Sequence, residues 1–226
     1  VFHLTSLNEF LLNFLKAQYI KFFNRKSYSW ITQTNYTKNL ISKKFNITLD
    51  SINVIPFFDI SDIPTIKRNF KSNTINYLCV TSNAKHKNIQ KLINAFIKAN
   101  FSSEKKITLS LTLEGENKLI DNKKIKFIGN LNRAELIKKY SESHYLIFPS
   151  MIESFGLPMI EGVKSGANIL CSNIKSISEI LKPSINFNPL KESEIKIAIE
   201  KSATLSYNSN SELTIKNEIN NFIKLI

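Results

Sequence analysis

At 226 residues, 42% of them hydrophobic, the chain is long enough to bury one substantial core and part of a second, and too short for two complete α/β domains. A formal net charge of +13 favours anionic partners such as nucleotide phosphates or an anionic membrane surface, but the lysines are dispersed rather than clustered with aromatic residues, which argues against nucleic acid. Two cysteines in apolar runs and three histidines without Cys or His at ligand spacing argue against a disulfide framework and a metal centre, fit a reducing cytoplasmic compartment, and no apolar run reaches the roughly 18 residues of a membrane span.

The chain opens at Val1 in mid-pattern and without a signal-peptide pattern, so an N-terminal truncation is expected. Leu7, Phe10, Leu11, Phe14, Leu15, Gln18 and Phe22 recur at helical spacing, with Lys16, Lys21 and Arg25 off that stripe, which predicts an amphipathic basic helix. Packing against a domain outside the chain is the favoured reading of its apolar face, and an anionic inner-membrane surface is the alternative. Residues 29–32 predict a short strand, Asn35 an N-cap, 36–45 a helix, and 52–55 a second strand stopped at Pro56. Residues 57–73, with Pro64 and no clear period, read as a linker between a partial α/β domain at 1–56 and a larger domain at 74–210, with a terminal helix at 211–226.

In the larger domain, residues 74–81 predict the first strand, Ser82 to Asn88 a turn, and Ile89, Leu92, Ile93 and Phe96 a helix. Strand–loop–helix places that turn at the carboxyl edge of an open sheet, where such sheets bind ligands. Lys87 is then a candidate cation for an anionic ligand, with a solvated surface lysine as the bland alternative. Strands at 107–113 and 125–128 follow, then Gly129-Asn130-Leu131 and a helix from 133 to 141.

Residues 145–148 and 167–171 are apolar and β-prone, and between them lie a loop and a helix, which makes a crossover of a parallel sheet. The helix should begin near Gly156 and Leu157, with Pro158 in its first turn, and stop at Gly166. Its unpaired first amides, with Gly156 allowing close approach, suit a phosphate. Glu161 lies one turn further in, and a carboxylate beside a phosphate is suited to a pair of hydroxyls, as on a ribose. Glu153 borders the same cleft. A last strand at 185–189 and helices near 191–203 and 212–226 complete an open parallel sheet with helices on both faces.

The run Pro149-Ser150-x-x-Glu153-Ser154-Phe155-Gly156-Leu157-Pro158-x-x-Glu161, followed by Gly166 and Glu179, resembles the donor-site signature of family 4 glycosyltransferases. These are retaining enzymes with two Rossmann-like domains, the GT-B fold. Two glutamates at this spacing occur by chance in most proteins, so the specificity lies in the whole run between two strands. The resemblance covers about residues 28–190 and is strongest at 144–182, and Ile31 to Ile47 is similar to the end of the family's acceptor domain.

The resemblance implies that Glu161 binds the donor ribose, that Ser154, Phe155, Gly156 and Leu157 hold the donor, and that Glu153 sits against the transferred sugar as a catalytic group. It further implies that Lys87, followed by Asn88, meets the donor diphosphate, and that the loop at Leu131 receives the base through main-chain groups. The expected activity is retaining transfer of a hexose from a nucleotide-diphosphate sugar to a saccharide or lipid-linked acceptor in bacterial surface polysaccharide synthesis, without a cofactor or an essential metal. One departure stands out: many relatives carry an arginine five residues before the lysine, and here that position is Ser82, with Lys85 or Asn83 as substitutes. The alternatives are another nucleotide-sugar enzyme of the same fold, or a fragment that binds donor without transferring sugar.

Overall fold

A computed structural model of the chain describes residues 15–16, 18–20, 29–67, 73–114, 124–204 and 210–224. Most of the expected amphipathic stripe, and residues 68–72 of the expected linker, lie outside the described residues, while 15–16 and 18–20 are helical. The chain divides into a smaller unit, Val1–Phe58 with Lys216–Ile226, and a larger one, Asp59–Ile215, whose start falls inside the stretch expected to be a linker.

In the smaller unit, β1 (Trp30–Thr32) pairs in parallel with β2 (Ile52–Val54), and α1 (Asn35–Phe45) connects them. The N-cap of α1 is Thr34, not Asn35: Thr34 is extended and its hydroxyl accepts from the Thr37 amide at 3.1 Å. A cap must precede the first helical φ/ψ pair and reach the third amide, and a threonine one position earlier does both. Asn46 ends the helix in the left-handed region, and Ile47 and Ile52 are buried.

The larger unit is built on β3 (Thr74–Cys79), β4 (Lys106–Leu111), β5 (Ile125–Phe127), β6 (Tyr145–Phe148), β7 (Asn168–Ser172) and β9 (Ile185–Phe187). They form one all-parallel sheet in the order β5-β4-β3-β6-β7-β9. Every residue of β6 and β7 is buried, as in a sheet covered on both faces. On one face, α2 (Ile89–Lys98) and α6 (Glu192–Ser202) pack over Tyr77 and Tyr145, whose rings stack at 5.3 Å with Phe96 edge-on at 5.7 Å. Tyr77 donates or accepts at Ser202 Oγ, 2.7 Å away, so its hydroxyl is satisfied in the core. On the other face, α4 (Leu157–Lys164) lies so close that a Cβ on Gly162 would come within 2.6 Å of Leu146 and 3.0 Å of Ile169, and the short α5 (Lys175–Ser178) follows β7.

The open α/β sheet read from the sequence is therefore present, and its strand order reverses between β3 and β6. Loops leaving these two strands diverge to opposite faces and leave a crevice at their carboxyl ends. The helix α3 (Arg133–Glu142) starts at the same edge, after β5, with a capping box between Asn132 and Glu135.

The C-terminal stretch differs from expectation. Instead of one helix over 212–226, Glu212 and Leu213 form β10, antiparallel to β8 (Leu181–Lys182), and the described helix there, α7, is only Ile219–Ile223. β8 and β10 form a separate two-stranded sheet, and further bonds hold the chain there: the amides of Thr214 and Ile215 donate to Ile180 O, and the hydroxyl of Ser211 accepts from the amides of Ile169 and Ser184. These bonds give the backbone groups of the extended segment, and two amides beside it, partners without a helix. The α7 segment belongs to the smaller unit, where the Phe222 ring stacks on Phe57 at 4.1 Å and Asn217 bonds both backbone groups of Phe58.

Candidate functional site

The loop after β3 makes one tight turn at Lys85–Lys87 and ends at Asn88, which enters the left-handed region (φ 56°) before α2 begins. Asparagine tolerates that conformation better than most residues. Its side-chain amide donates to Pro149 O at 3.2 Å and Pro189 O at 2.7 Å, and so ties this loop to those after β6 and β9. The Met151 amide adds a bond to His86 O at 2.8 Å. Asn88, expected to touch a ligand, thus has both amide hydrogens engaged by the protein and acts as a staple between three loops.

With the loops held this way, Lys87 Nζ lies 2.9 Å from Glu153 Oε2, with side chains 23% and 13% exposed. The second oxygen of Glu153 accepts from the Ser154 amide at 3.3 Å. Immediately beyond, Gly156 caps α4 in the left-handed region (φ 67°), Leu157 and Pro158 form the first turn, and the helix points its positive end at the same loops. A side chain at Gly156 would overlap Met159 Cε and rest in ordinary contact with Glu153 Cγ. Phe155 is buried against the fold, whereas Ser154 and Leu157 are exposed and Ile152 is 51% exposed. One cation, one carboxylate and one helix start converge here. That set can take an anion and, next to it, a group that develops positive charge.

Glu161 occupies the second turn of α4 with its side chain only 3% exposed. Its Oε1 is paired with Arg133 Nη1, and its Oε2 accepts from the Tyr140 hydroxyl at 2.7 Å. Arg133 also grips Asp62 side-on, with Nε and Nη2 2.9 and 2.8 Å from the two carboxylate oxygens. Hydrogen bonds to Asp62 and then to Glu161 raise the arginine above its ordinary value, and the bond from Arg133 holds the Asp62 carboxyl below its own. Burial, then the bond to Glu161, raises the Tyr140 phenol, which stays a neutral donor. A carboxylate has about four lone-pair positions, so Glu161 keeps acceptor capacity beyond these two partners.

Leu131 is half-buried in the loop between β5 and α3, and Ser82, Asn83 and Lys85 are exposed on the loop after β3. His144 is structural: its Nδ1 accepts from the Asn76 amide at 3.2 Å. Sequence reasoning missed Arg133, Asp62 and Tyr140. A signal for two of them existed, because Arg133 and Tyr140 stand seven residues apart, on one face of a helix whose N-x-x-E capping box was readable.

A model of the family described as "Glycosyl transferases group 1" matches residues 62–216. The O-antigen chain mannosyltransferase RfbU of Salmonella typhimurium is 25% identical over 201 residues, which are 83% of this chain and 56% of that protein. The serotype-specific mannosyltransferase WbdA of Escherichia coli is 38% identical over 79 residues, 34% of this chain and 10% of WbdA. The chain thus spans about half the length, or less, of these curated relatives. Among solved structures, Anabaena Alr3699/HepE in complex with UDP-glucose superposes with a TM-score of 0.66 at 17% identity, over 90% of this chain and 63% of that one. WaaG, a glycosyltransferase involved in lipopolysaccharide biosynthesis, gives 0.65 at 14% identity, over 81% and 55%. Both share the fold.

Proposed function

The chain belongs to the glycosyl transferases group 1 family, whose model matches more than half of it, and we propose that it holds the donor of a retaining glycosyltransferase that moves a hexose from a nucleotide-diphosphate sugar. The observation that carries this reading is the convergence of Lys87, Glu153 and the start of α4 at the point where the strand order reverses. A donor diphosphate fits there, met by Lys87 and by the positive end of the helix, and Glu161 accepts the ribose hydroxyls. The loop at Leu131 takes the base.

As the bond from the anomeric carbon to the diphosphate breaks, negative charge grows on the leaving oxygens and positive charge on the sugar. Lys87 and the helix amides stabilise the first, and Glu153 stabilises the second and orients the sugar. The ion pair between Lys87 and Glu153 is the resting arrangement in this reading. An incoming diphosphate takes the lysine and leaves the carboxylate facing the sugar. No metal is needed for either role, so transfer is expected to survive chelation.

RfbU is an O-antigen chain mannosyltransferase and WbdA a serotype-specific mannosyltransferase, which makes mannose the first sugar to test and a saccharide or lipid-linked surface polysaccharide the acceptor class. The net charge of +13 suits work at the anionic inner face of a membrane, and among the described residues no helix is long and apolar enough to cross one. A second reading follows from length: because the chain spans about half of RfbU, by itself it binds donor and transfers no sugar.

The decisive experiment is thermal stabilisation by UDP, GDP, dTDP and CMP, beside Glu161→Ala. A ligand that binds only the native state raises the melting temperature with concentration, by about 2.7 kcal/mol of stability at a hundred times its Kd. One base winning, with the shift lost in the variant, supports the donor site. No shift from any nucleotide refutes it. Product anomeric configuration by NMR tests retention separately.

A further inference from the structure

We propose that Arg133 is a positioning residue for the donor ribose: by bridging Asp62 and Glu161 it fixes the carboxylate on which the ribose hydroxyls dock, an assignment that rests on the donor-site reading above. An ionised carboxylate as buried as Glu161 needs a cation and hydrogen-bond donors, and Lys87 is already engaged with Glu153. The cation comes instead from the first residue of α3. That is a poor place for an arginine on local grounds, because a helix N-terminus disfavours positive charge. The tertiary contact explains it.

The geometry uses the shape of the guanidinium. Nε and Nη2 hold both oxygens of Asp62, which leaves Nη1 directed at Glu161 Oε1. A lysine ammonium cannot span two carboxylates with that planar fork. From the same helix, Tyr140 fixes the other oxygen at 2.7 Å. Each oxygen of Glu161 thus has one donor set by α3, and the lone pairs that remain are aimed by those two bonds.

Asp62 is itself anchored within the same unit. Four residues on, the Ile66 amide donates to Ser165 O at 3.1 Å, and the Ile66 carbonyl packs so closely on Gly166 that no Cβ fits there. The segment carrying Asp62 is therefore docked beside the C-terminal end of α4. Arg133 joins it to Glu161 and acts on the nucleotide through that carboxylate.

The test is calorimetric titration of the 226-residue chain with UDP and GDP, with the 2′-deoxy analogue of whichever binds, and with inorganic pyrophosphate. Arg133→Gln is expected to weaken the nucleoside diphosphate about tenfold or more, the scale of a lost bond to a charged group, and to shrink the preference for the ribonucleotide over its deoxy analogue. Pyrophosphate affinity should stay within about twofold, and Arg133→Lys should restore only part of the loss. The double variant Arg133→Gln/Glu161→Gln should bind no more weakly than Glu161→Gln alone, because both changes remove one contact. Additive losses, or equal loss of pyrophosphate, overturn the proposal by showing that Arg133 acts on its own or only on the fold. If Arg133→Gln does not fold, Asp62→Asn, which frees only the far end of the fork, should give a smaller loss in the same direction; binding equal to the parent chain overturns it. Failure of the parent chain to bind any nucleoside diphosphate is failure of the donor-site reading, and this proposal falls with it. Binding by the parent chain that Arg133→Gln leaves intact defeats this proposal alone.

Discussion

Lys87 and Glu153, 66 residues apart in the chain, meet in a 2.9 Å ion pair across the crevice between the loops that follow β3 and β6. Each neutralises the other in the free protein, and an arriving diphosphate competes with Glu153 for the lysine. Electrostatics thereby assigns opposite signs to changes at the two positions.

Glu153→Gln removes a negative neighbour of the phosphate site and releases Lys87. Affinity for the preferred nucleoside diphosphate is expected to hold or rise a few-fold, while transfer falls by at least about a hundredfold, the scale of one lost transition-state contact. Lys87→Met should weaken binding about tenfold. Calorimetry and a transfer assay read both. Loss of binding in Glu153→Gln as large as that in Glu161→Ala refutes the division of roles.

Asn88 should behave as a structural staple. Asn88→Ala loses two hydrogen bonds and places a Cβ-bearing residue with no local bonding at a φ of 56°, for a cost of about 2–3 kcal/mol. Asn88→Asp, the same shape, puts a carboxylate against two carbonyl oxygens and should cost at least as much. Melting temperatures of the apo variants decide it. A residue that served only the ligand would change binding and leave these temperatures alone.

Two glycines with positive φ should differ in their tolerance of alanine. At Gly156 (φ 67°) the new methyl meets the end of the flexible Met159 side chain, so the backbone term of about 1–2 kcal/mol dominates. At Gly166 (φ 86°) it meets the Ile66 carbonyl, which cannot swing aside, and the total should reach about 3 kcal/mol. For a chain of this size that is a melting-temperature drop of about 6–12 °C for Gly166→Ala and clearly less for Gly156→Ala. The reverse order would contradict the docking of the 59–67 segment.

Alkaline pH should unfold the larger unit. Burial pushes the thiols of Cys79 and Cys171 up to about 12 from an ordinary 9.0, and raises the Tyr77 and Tyr140 phenols above their usual range. An acid whose folded value is raised keeps its proton longer in the native state, so its contribution is complete below pH 9 and is lost as pH rises from 9 toward 12. The urea midpoint should therefore be level from about pH 7 to 8.5 and fall above about pH 9, and in Cys79→Ala/Cys171→Ala the fall should start nearer pH 10, where tyrosines begin to titrate. A midpoint level to pH 11 is inconsistent with these buried groups.

Several features were legible in one dimension. The alternation of apolar β-prone runs with helical periodicity determined the parallel α/β sheet, because strand and helix periods are local properties. Gly156 and Gly166 marked the two ends of α4 for the same reason, and the run from Pro149 to Glu161 placed Glu153 and Glu161 on either side of a helix start. Local strings misled where a distant partner intervened. Residues 212–213 have no strand signal of their own, and they extend because β8 offers an open edge.

What the tertiary structure alone decided is which groups meet. The sheet order puts β3 beside β6, and only that adjacency brings Lys87 to Glu153 and Asn88 to the carbonyls of Pro149 and Pro189. The same holds for Asp62, Arg133 and Glu161, which come from a docked segment, a helix start and a second helix, and share no periodicity. Side-chain chemistry can be read along a chain, but partnership depends on strand order and crossover geometry, which act over separations that no local pattern records.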